Sequence, residues 1–278
     1  MKSNFYKHVL KKLFVPMVVI GVTILMSVCC YADREKIVFL HHSTGNNVYH
    51  DGRVPAWFSK YNKANRTSFQ ITARDYPDSP YPWENYPFDY WNLWVNGACN
   101  SNNANIECMN TLTKKYDVII YKHCFPVSHI EPDKGSPALN SKIKSLENYK
   151  TQYRALRDLM ESYPNNLFIL WTLPPLHRLA TTPDHAKRAN QFVDWVKHEF
   201  LSEDGKPHQN IFIFDFWGIV AEGDPNPRRG RLNCLKYDFE KDHNNDDSHP
   251  NKAANELAGP LFSNVILKSI KTFKKSEH

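Results

Sequence analysis

A strand-like run, Lys36-Ile-Val-Phe-Leu-His41, ends in the polar sequence His42-Ser-Thr-Gly-Asn46. The four central residues of the run are apolar, which is typical of a strand that other elements cover on both faces. Strands of this kind belong to parallel sheets, whose connections cross over a face of the sheet and are usually helical. The run therefore predicts an α/β fold, with the polar residues that follow it at a strand end.

Four further runs along the chain have the same character. They are Ser68–Ala73, Asp117–Lys122, Leu167–Thr172 and Asn210–Asp215. Apolar residues recur at three- and four-residue steps in segments 146–163, 189–200 and 254–266, which indicates amphipathic helices between and after the strands. We therefore predict one domain over residues 33–278, a three-layer α/β/α sandwich with a mostly parallel five-stranded sheet.

An aromatic-rich insertion at about 75–105 interrupts this alternation. Its central part, Tyr76–Trp94, is dense in aromatic residues and prolines, so the sequence predicts neither a helix nor a strand there. Long irregular insertions in compact domains are often functional. Two interpretations are open: a lid packed over the domain, or a surface on which sugar rings stack.

The N-terminus has the pattern of a secretory signal peptide. Four lysines lie within residues 1–12, the apolar run Leu13–Cys29 follows, and small residues stand at Cys30 and Ala32. This pattern predicts a signal peptide over residues 1–32, cleaved after Ala32, and therefore an exported protein, periplasmic or secreted. An uncleaved membrane anchor and a lipid-modified Cys29 are the alternatives, and an uncleaved segment would be the only contact with the membrane.

Four cysteines follow the predicted leader. Cys99 and Cys108 are close in sequence, so a local disulfide is the simplest pairing in an oxidising compartment. The pairing of Cys124 and Cys234 depends on the fold and stays open. No Cys-x-x-Cys spacing of a zinc ribbon occurs.

Composition excludes several classes of protein. The chain has 278 residues, of which 41% are apolar and 13% aromatic, too many for a disordered or fibrous protein. Its net charge is +6, but four of the positive charges lie in the leader, so we expect no nucleic-acid partner. No strand is followed by Gly-x-Gly-x-x-Gly or by a P-loop, and the sequence predicts no cofactor.

Polar residues from the two ends of the chain are expected at one edge of the sheet, because ligands of parallel sheets bind beyond the carboxyl ends of the strands. Ser43 follows the first strand, and Asp246-Asp247-Ser248-His249 precedes the last helix. A serine becomes a nucleophile when a histidine takes its proton and a carboxylate orients that histidine. We predict Ser43 as the nucleophile, His249 as the base and Asp246 as the orienting acid, with Asp247 as the second choice.

Acyl transfer also needs donors for the oxyanion of the tetrahedral intermediate. The backbone N–H of Ser43 is one candidate, and Gly97 is another, because a glycine lets backbone approach the substrate closely. After the third strand, Lys122 or His123 is predicted to supply a further donor.

These residues resemble those of the SGNH or GDSL-like hydrolases. Ser43 after the first strand, Gly97 after the second and Asp246-x-x-His249 before the final helix correspond to three of the family's sequence blocks. The resemblance implies a flavodoxin-like fold and a serine esterase with a Ser-His-Asp triad. The chain resembles a divergent branch, because it has His41-His42-Ser43 where the family has Gly-Asp-Ser, and Lys122-His123-Cys124 where the family has Gly-x-Asn.

The sequence thus predicts an exported esterase with a small-molecule or carbohydrate ester as its partner, O-acyl groups on a carbohydrate being the first substrate to test. A non-catalytic carbohydrate-binding or surface protein on the same fold is one alternative, because two sequence blocks are altered. A metal-dependent hydrolase is another, with donors among His41, His42, His243, Asp246 and His249. We predict no metal there, because adjacent side chains on an extended strand end diverge.

Overall fold

Five strands form one sheet in the computed structural model of the protein, which describes residues 34–276. They are β1 (Lys36–His41), β2 (Gln70–Asp75), β3 (Val118–Tyr121), β4 (Leu167–Trp171) and β5 (Ile211–Phe214). Every neighbouring pair is parallel, and the order in the sheet is β2-β1-β3-β4-β5. This is the flavodoxin-like order of an open α/β sheet, so the predicted fold class is confirmed.

Helices cover both faces of the sheet. They are α1 (Ser43–Asp51), α2 (Val54–Asn65), α3 (Pro87–Trp94), α4 (Met109–Lys115), α5 (Leu146–Glu161), α6 (Pro183–His198), α7 (Phe216–Val220) and α8 (Lys252–Ser276). The α5, α6 and α8 helices coincide with the three predicted amphipathic segments. Alternate strand residues face opposite layers: Val38 and Leu40 pack with α3, α5 and α6, whereas Ile37 and Phe39 pack with α1, α2 and α8.

The predicted signal peptide, residues 1–32, lies outside the described residues. Within 34–276, none of the helices combines the length and the apolar character needed to cross a bilayer.

The aromatic insertion contains a helix, so the prediction of neither helix nor strand over Tyr76–Trp94 is wrong for residues 87–94. Pro87 stands at the first turn of α3, where its missing N–H costs no hydrogen bond. The Asp89 carboxylate accepts hydrogen bonds from the backbone N–H groups of Glu84 and Tyr86, which completes the cap. Most rings of the segment are buried in the core, and Trp83 is the large exposed ring, at 36%.

A disulfide between Cys99 and Cys108 closes the loop that follows α3, which confirms the predicted local pairing. Cys124 and Cys234 are both free and buried. The disulfide restrains this part of the insertion, which contains little regular secondary structure.

Two glycines bring the N-terminal and C-terminal parts of the domain into contact. Gly52 ends α1 and Gly259 lies inside α8, and a Cβ atom built on Gly259 would stand 2.3 Å from the carbonyl oxygen of Gly52. Asn255 of α8 also donates to the Asp51 carboxylate at 2.9 Å. The close approach of α1 and α8 holds the residues that precede both helices at the same edge of the sheet.

Replacing Gly259 by alanine is expected to destabilise the protein by about 1–3 kcal/mol, because the new methyl group overlaps the backbone of Gly52. Helix propensity alone predicts the opposite, a gain of about 1 kcal/mol. Chemical denaturation of Gly259→Ala measures the sign. Asn264→Ala, at an exposed position of the same helix, is the control and should be neutral or slightly stabilising. A more stable Gly259→Ala protein would contradict the close contact.

Candidate active site

A continuous chain of hydrogen bonds joins Ser43, His249 and Asp247. The Ser43 Oγ atom lies 2.7 Å from Nε2 of His249, and Nδ1 of the same ring lies 2.5 Å from Oδ1 of Asp247. A carboxylate only accepts, so Nδ1 carries the imidazole proton and Nε2 is free to accept from the serine hydroxyl. This is the arrangement by which a histidine activates a serine.

Ser43 owes its position to the abrupt change from strand to helix. His42 has extended backbone angles and Ser43 is the first residue of α1, so the hydroxyl stands exposed beyond the carboxyl end of β1. The N–H groups at the start of a helix have no partner inside the helix, and its dipole is positive there. Ser43 therefore lies at a position that favours developing negative charge.

The carboxylate beside His249 is that of Asp247, not Asp246 as predicted. Asp247 forms a local turn in which Oδ1 accepts from the backbone N–H of His249 at 3.0 Å and also faces the ring. Although partial burial raises the pKa of Asp247, the hydrogen bonds from His249 outweigh it and hold that pKa below its ordinary value. For Asp246, the contact that the structure gives is at its carbonyl oxygen, which accepts from Ser248.

A buried carboxylate supports the loop that carries His249. Glu240 contacts Nε2 of His177 at 3.0 Å, Nδ1 of His243 at 2.8 Å and the guanidinium of Arg178 at 3.2 Å. The backbone N–H of His177 in turn donates to Oγ of Ser248 at 2.9 Å. This network holds Ser248, the residue between Asp247 and His249, and so helps to position both of these side chains.

An open cleft of about 480 Å³ lies over Ser43 and His249. Its other lining residues are His42, Asn46, Asp75, Trp83, Glu84, Cys124, Phe125 and Pro126. The Trp83 ring stacks on that of His42 with centroids 3.7 Å apart, and the Phe125 ring meets His249 edge-on at 4.8 Å. The cleft thus combines flat aromatic faces with carboxylates beside a serine hydroxyl.

Cys124 lies against Ser43, with its Sγ atom 3.3 Å from Oγ of the serine. Burial raises the pKa of the Cys124 thiol, but the positive charge of Lys122 and hydrogen bonds from Ser43 and from the backbone N–H groups of Phe125 and Thr44 bring that pKa below its ordinary value. In the sequence, Cys124 stands at the position where the SGNH pattern has the asparagine of Gly-x-Asn, and the structure brings it next to Ser43.

The side chain of Lys122 is fully buried, and among the described residues its Nζ atom has no hydrogen-bond partner. Burial lowers the pKa of Lys122 to about 8. A buried cation without a partner destabilises the folded state. Packing alone therefore does not explain why Lys122 lies beside Cys124. Lys122 is not among the residues that line the cleft.

His123 and Gly97 are not brought to the cleft. His123 is buried among the rings of Tyr90, Tyr121 and Tyr153, and burial lowers its pKa to about 3. Gly97 follows α3 with φ +83, a left-handed turn conformation, and is exposed. Neither residue is among those that line the cleft.

The donors of the rival metal site diverge. The His41 ring is buried with Nδ1 3.5 Å from Asp75, and burial lowers its pKa to about 3. Nε2 of His42 lies 2.7 Å from the carbonyl oxygen of Pro77, and His243 contacts Glu240. Of the proposed donors, His249 is the one that faces Ser43.

Comparisons with known proteins give matches in structure alone. No protein-family model matches the chain, and no curated protein sequence matches it. Solved esterase structures are similar to it in fold. The psychrotrophic esterase EstA from Pseudoalteromonas sp., in a structure inhibited by monoethylphosphonate, is 13% identical over 84% of this chain and 98% of EstA, with a TM-score of 0.45.

Two further enzymes match over most of this chain. BT4096, a gut microbial diltiazem-metabolizing enzyme, is 11% identical over 86% of this chain with a TM-score of 0.45, and the match spans 47% of BT4096. A carbohydrate esterase whose active site displays divergent catalytic and non-catalytic binding functions is 13% identical over 86% of this chain and 66% of its own, with a TM-score of 0.40.

Sequence reasoning did not select Cys124, Trp83 or Asn46 as site residues, although all three line the cleft. Cys124 was recognisable from its position two residues after the predicted third strand, Asp117–Lys122. Asn46 stands three residues after Ser43, so on a helix both side chains share one face. For Trp83 no sequence signal separates one exposed ring from the many buried rings around it.

Proposed function

We propose that the protein is a serine esterase of the SGNH type, with Ser43 as nucleophile, His249 as base and Asp247 as the residue that orients His249. The observation that carries the proposal is the unbroken hydrogen-bond chain from the exposed Ser43 hydroxyl to the Asp247 carboxylate. Three side chains from opposite ends of the chain meet in the order that acyl transfer requires.

In the proposed reaction, Oγ of Ser43 bonds to the ester carbonyl carbon while its proton passes to Nε2 of His249. The tetrahedral intermediate then collapses, the bond from carbon to the alkoxy oxygen breaks, and the alcohol leaves with the proton from His249. Water attacks the acyl-serine with His249 again as base, and the acid is released. Asp247 holds the imidazole in the required tautomer and stabilises its protonated form.

The oxyanion is held, in this proposal, by the backbone N–H of Ser43 and the side-chain amide of Asn46. The first lies at the N-terminus of α1, where the helix dipole adds to the hydrogen bond. The second lines the cleft one helical turn further on. The buried charge of Lys122 adds to the positive potential of this side of the cleft.

An exported location is part of the same proposal. The lysine-rich start and apolar run of the leader support it, as does the Cys99–Cys108 disulfide, since such bonds persist in oxidising compartments. A fusion of residues 1–40 to a reporter enzyme that folds only outside the cytoplasm tests this location.

We propose an O-acylated carbohydrate as the substrate class. Trp83 offers an exposed indole face within the cleft, and its ring is held in place by the stack on His42. Asp75 and Glu84 line the same cleft and can accept hydrogen bonds from sugar hydroxyls. A stacking face beside hydroxyl acceptors suits a sugar better than a long acyl chain.

Replacing Trp83 by alanine is expected to raise KM for an acetylated oligosaccharide by about fivefold, because about 1 kcal/mol of ring stacking is lost. The change in kcat/KM for p-nitrophenyl acetate should be smaller, since that ester has no sugar to stack. Steady-state kinetics on both substrates measure the difference. Trp57→Ala, on α2 outside the cleft, is the matched control. Equal losses on both substrates would exclude Trp83 as a sugar platform.

The function itself is tested with the unmodified protein. It should hydrolyse p-nitrophenyl esters of short acids at a rate that EDTA does not change, and an organophosphonate should abolish that rate. Absence of turnover across several acyl lengths would favour a non-catalytic binding protein. Loss of turnover with EDTA but not with the phosphonate would favour a metal-dependent hydrolase.

A further inference from the structure

Two histidines and a glutamate form a compact group outside the catalytic cleft. Nε2 of His129 lies 3.3 Å from Oε1 of Glu131, and Nε2 of His185 lies 3.7 Å from Oε2 of the same carboxylate. One ligand atom from each residue lies within 4.8 Å of the other two. Among residues 34–276, one group of three or more His, Cys, Asp or Glu side chains has metal-binding spacing, and it is this one. We call it the His-Glu-His cluster.

The spacing of the donor atoms fits a single small ion. Zinc binds imidazole nitrogen and carboxylate oxygen at about 2.0–2.2 Å, so neighbouring ligands of a tetrahedral site stand about 3.3–3.6 Å apart. The two nitrogen–oxygen distances, 3.3 Å to Oε1 and 3.7 Å to Oε2 of Glu131, lie in or next to this range, and one ligand atom from each residue lies within 4.8 Å of the others. Only small side-chain movements are therefore needed for all three donors to reach one ion.

Each ligand is anchored by backbone contacts of its own. The N–H of His129 donates to the carbonyl oxygen of Pro126 in a short 3-10 helix, and the N–H of Glu131 donates to the carbonyl oxygen of Lys144 at 2.7 Å. His185 lies in the first turn of α6, where its N–H donates to Oγ1 of Thr182 at 3.2 Å. Binding would thus order few groups that are not ordered already.

The charges around the cluster also favour a cation. Glu131 supplies one negative charge, and its carboxylate lies between the two imidazoles. Arg188 of α6 is an opposing cation near His185, but its Nε donates to the carbonyl oxygen of Ile130 at 2.6 Å, which holds the guanidinium to the backbone.

We propose that the His-Glu-His cluster binds one divalent transition-metal ion, with zinc as the ion to test first, and that water completes its coordination. Two imidazoles and one carboxylate are a ligand set that zinc accepts readily. The ion joins the loop after β3 to α6. That loop contains Phe125, whose ring packs on His249, so the metal would stabilise the wall of the cleft without taking part in the reaction.

The test is titration calorimetry with ZnCl₂ on the tag-free protein after treatment with EDTA and removal of the chelator. The expected result is one site per chain with a Kd of about 10 µM or tighter. His129→Ala, His185→Ala and Glu131→Gln should each weaken binding by at least about tenfold, because loss of a direct ligand costs no less than loss of its support. His198→Ala, an exposed histidine at the end of α6, is the matched control and should bind like the unmodified protein.

Thermal unfolding provides an independent readout, because an ion that binds only the folded state raises Tm. Zinc should raise the Tm of the unmodified protein and of His198→Ala but not that of the three cluster variants, whose far-UV circular dichroism confirms that they fold. Absence of saturable binding would overturn the proposal. Unchanged binding and Tm shift in a His129→Ala, His185→Ala double variant would overturn it as well, by placing the ion elsewhere.

Discussion

Replacing Ser43 by alanine is expected to lower kcat for p-nitrophenyl acetate by about 10³- to 10⁶-fold. In the proposed mechanism this hydroxyl forms the covalent bond to the acyl group. Among the residues that line the cleft, Ser43 is the one whose hydroxyl lies within hydrogen-bond distance of an imidazole. The residual rate reflects binding and oxyanion donors alone. Because Ser43 is exposed, the variant should fold normally, so the loss is catalytic rather than structural.

Two controls sharpen this prediction. Ser202→Ala removes an exposed hydroxyl outside the cleft and should leave kcat unchanged. Ser43→Cys tests whether the neighbouring Cys124 is itself nucleophilic. If it is, an alkylating reagent should label both of the adjacent thiols, at positions 43 and 124. If Ser43→Ala keeps more than about a tenth of the activity, the serine is not the nucleophile, and Cys124 becomes the first replacement to examine.

Replacing Asp247 by asparagine is expected to lower kcat by about 10²- to 10⁴-fold, whereas Asp246→Asn should change it less than about threefold. An amide at position 247 turns an N–H group towards Nδ1 of His249, which favours the wrong imidazole tautomer and removes the charge that stabilises the protonated ring. The Asp246 carboxylate does not contact that ring. The two variants differ from the native chain in the same atoms, one residue apart, so each is the control for the other.

Steady-state kinetics with p-nitrophenyl acetate and circular dichroism of both variants measure this difference. A larger loss in Asp246→Asn than in Asp247→Asn would restore the assignment that the Asp-x-x-His spacing suggests. Equal and small losses would mean that His249 needs no orienting carboxylate, and that the network around Glu240 is sufficient to hold it.

The sheet could be predicted from sequence because a strand buried on both faces is encoded by a short run of consecutive apolar residues. The predicted run Leu167–Thr172 and the observed β4 (Leu167–Trp171) differ by one residue, and β2 is shifted by two. The meeting of Ser43 with His249 also followed, since parallel topology places the ends of β1 and the start of α8 at one edge. Both inferences depend on local sequence patterns and on the parallel topology, not on the contacts of single side chains.

Other features could not be predicted from the sequence because they depend on the contacts of single side chains or on tertiary packing. The helix at Pro87–Trp94 forms because burial of its aromatic rings in the core stabilises it by more than their poor helix propensity costs. Selection of Asp247 over Asp246 rests on one turn in which a carboxylate meets both the backbone and the ring of His249. Gly97 has the backbone freedom that an oxyanion donor needs, but the loop after α3 places it away from the cleft.

Covalent labelling with a fluorophosphonate tests the central claim most directly, since the reagent bonds only to a serine that a base has activated. Mass spectrometry of the digested protein should find one phosphonate per chain on the peptide that contains Ser43, and His249→Ala should react at least about a hundredfold more slowly. Absence of the label, or a label on another residue in a protein that still hydrolyses esters, would contradict the account.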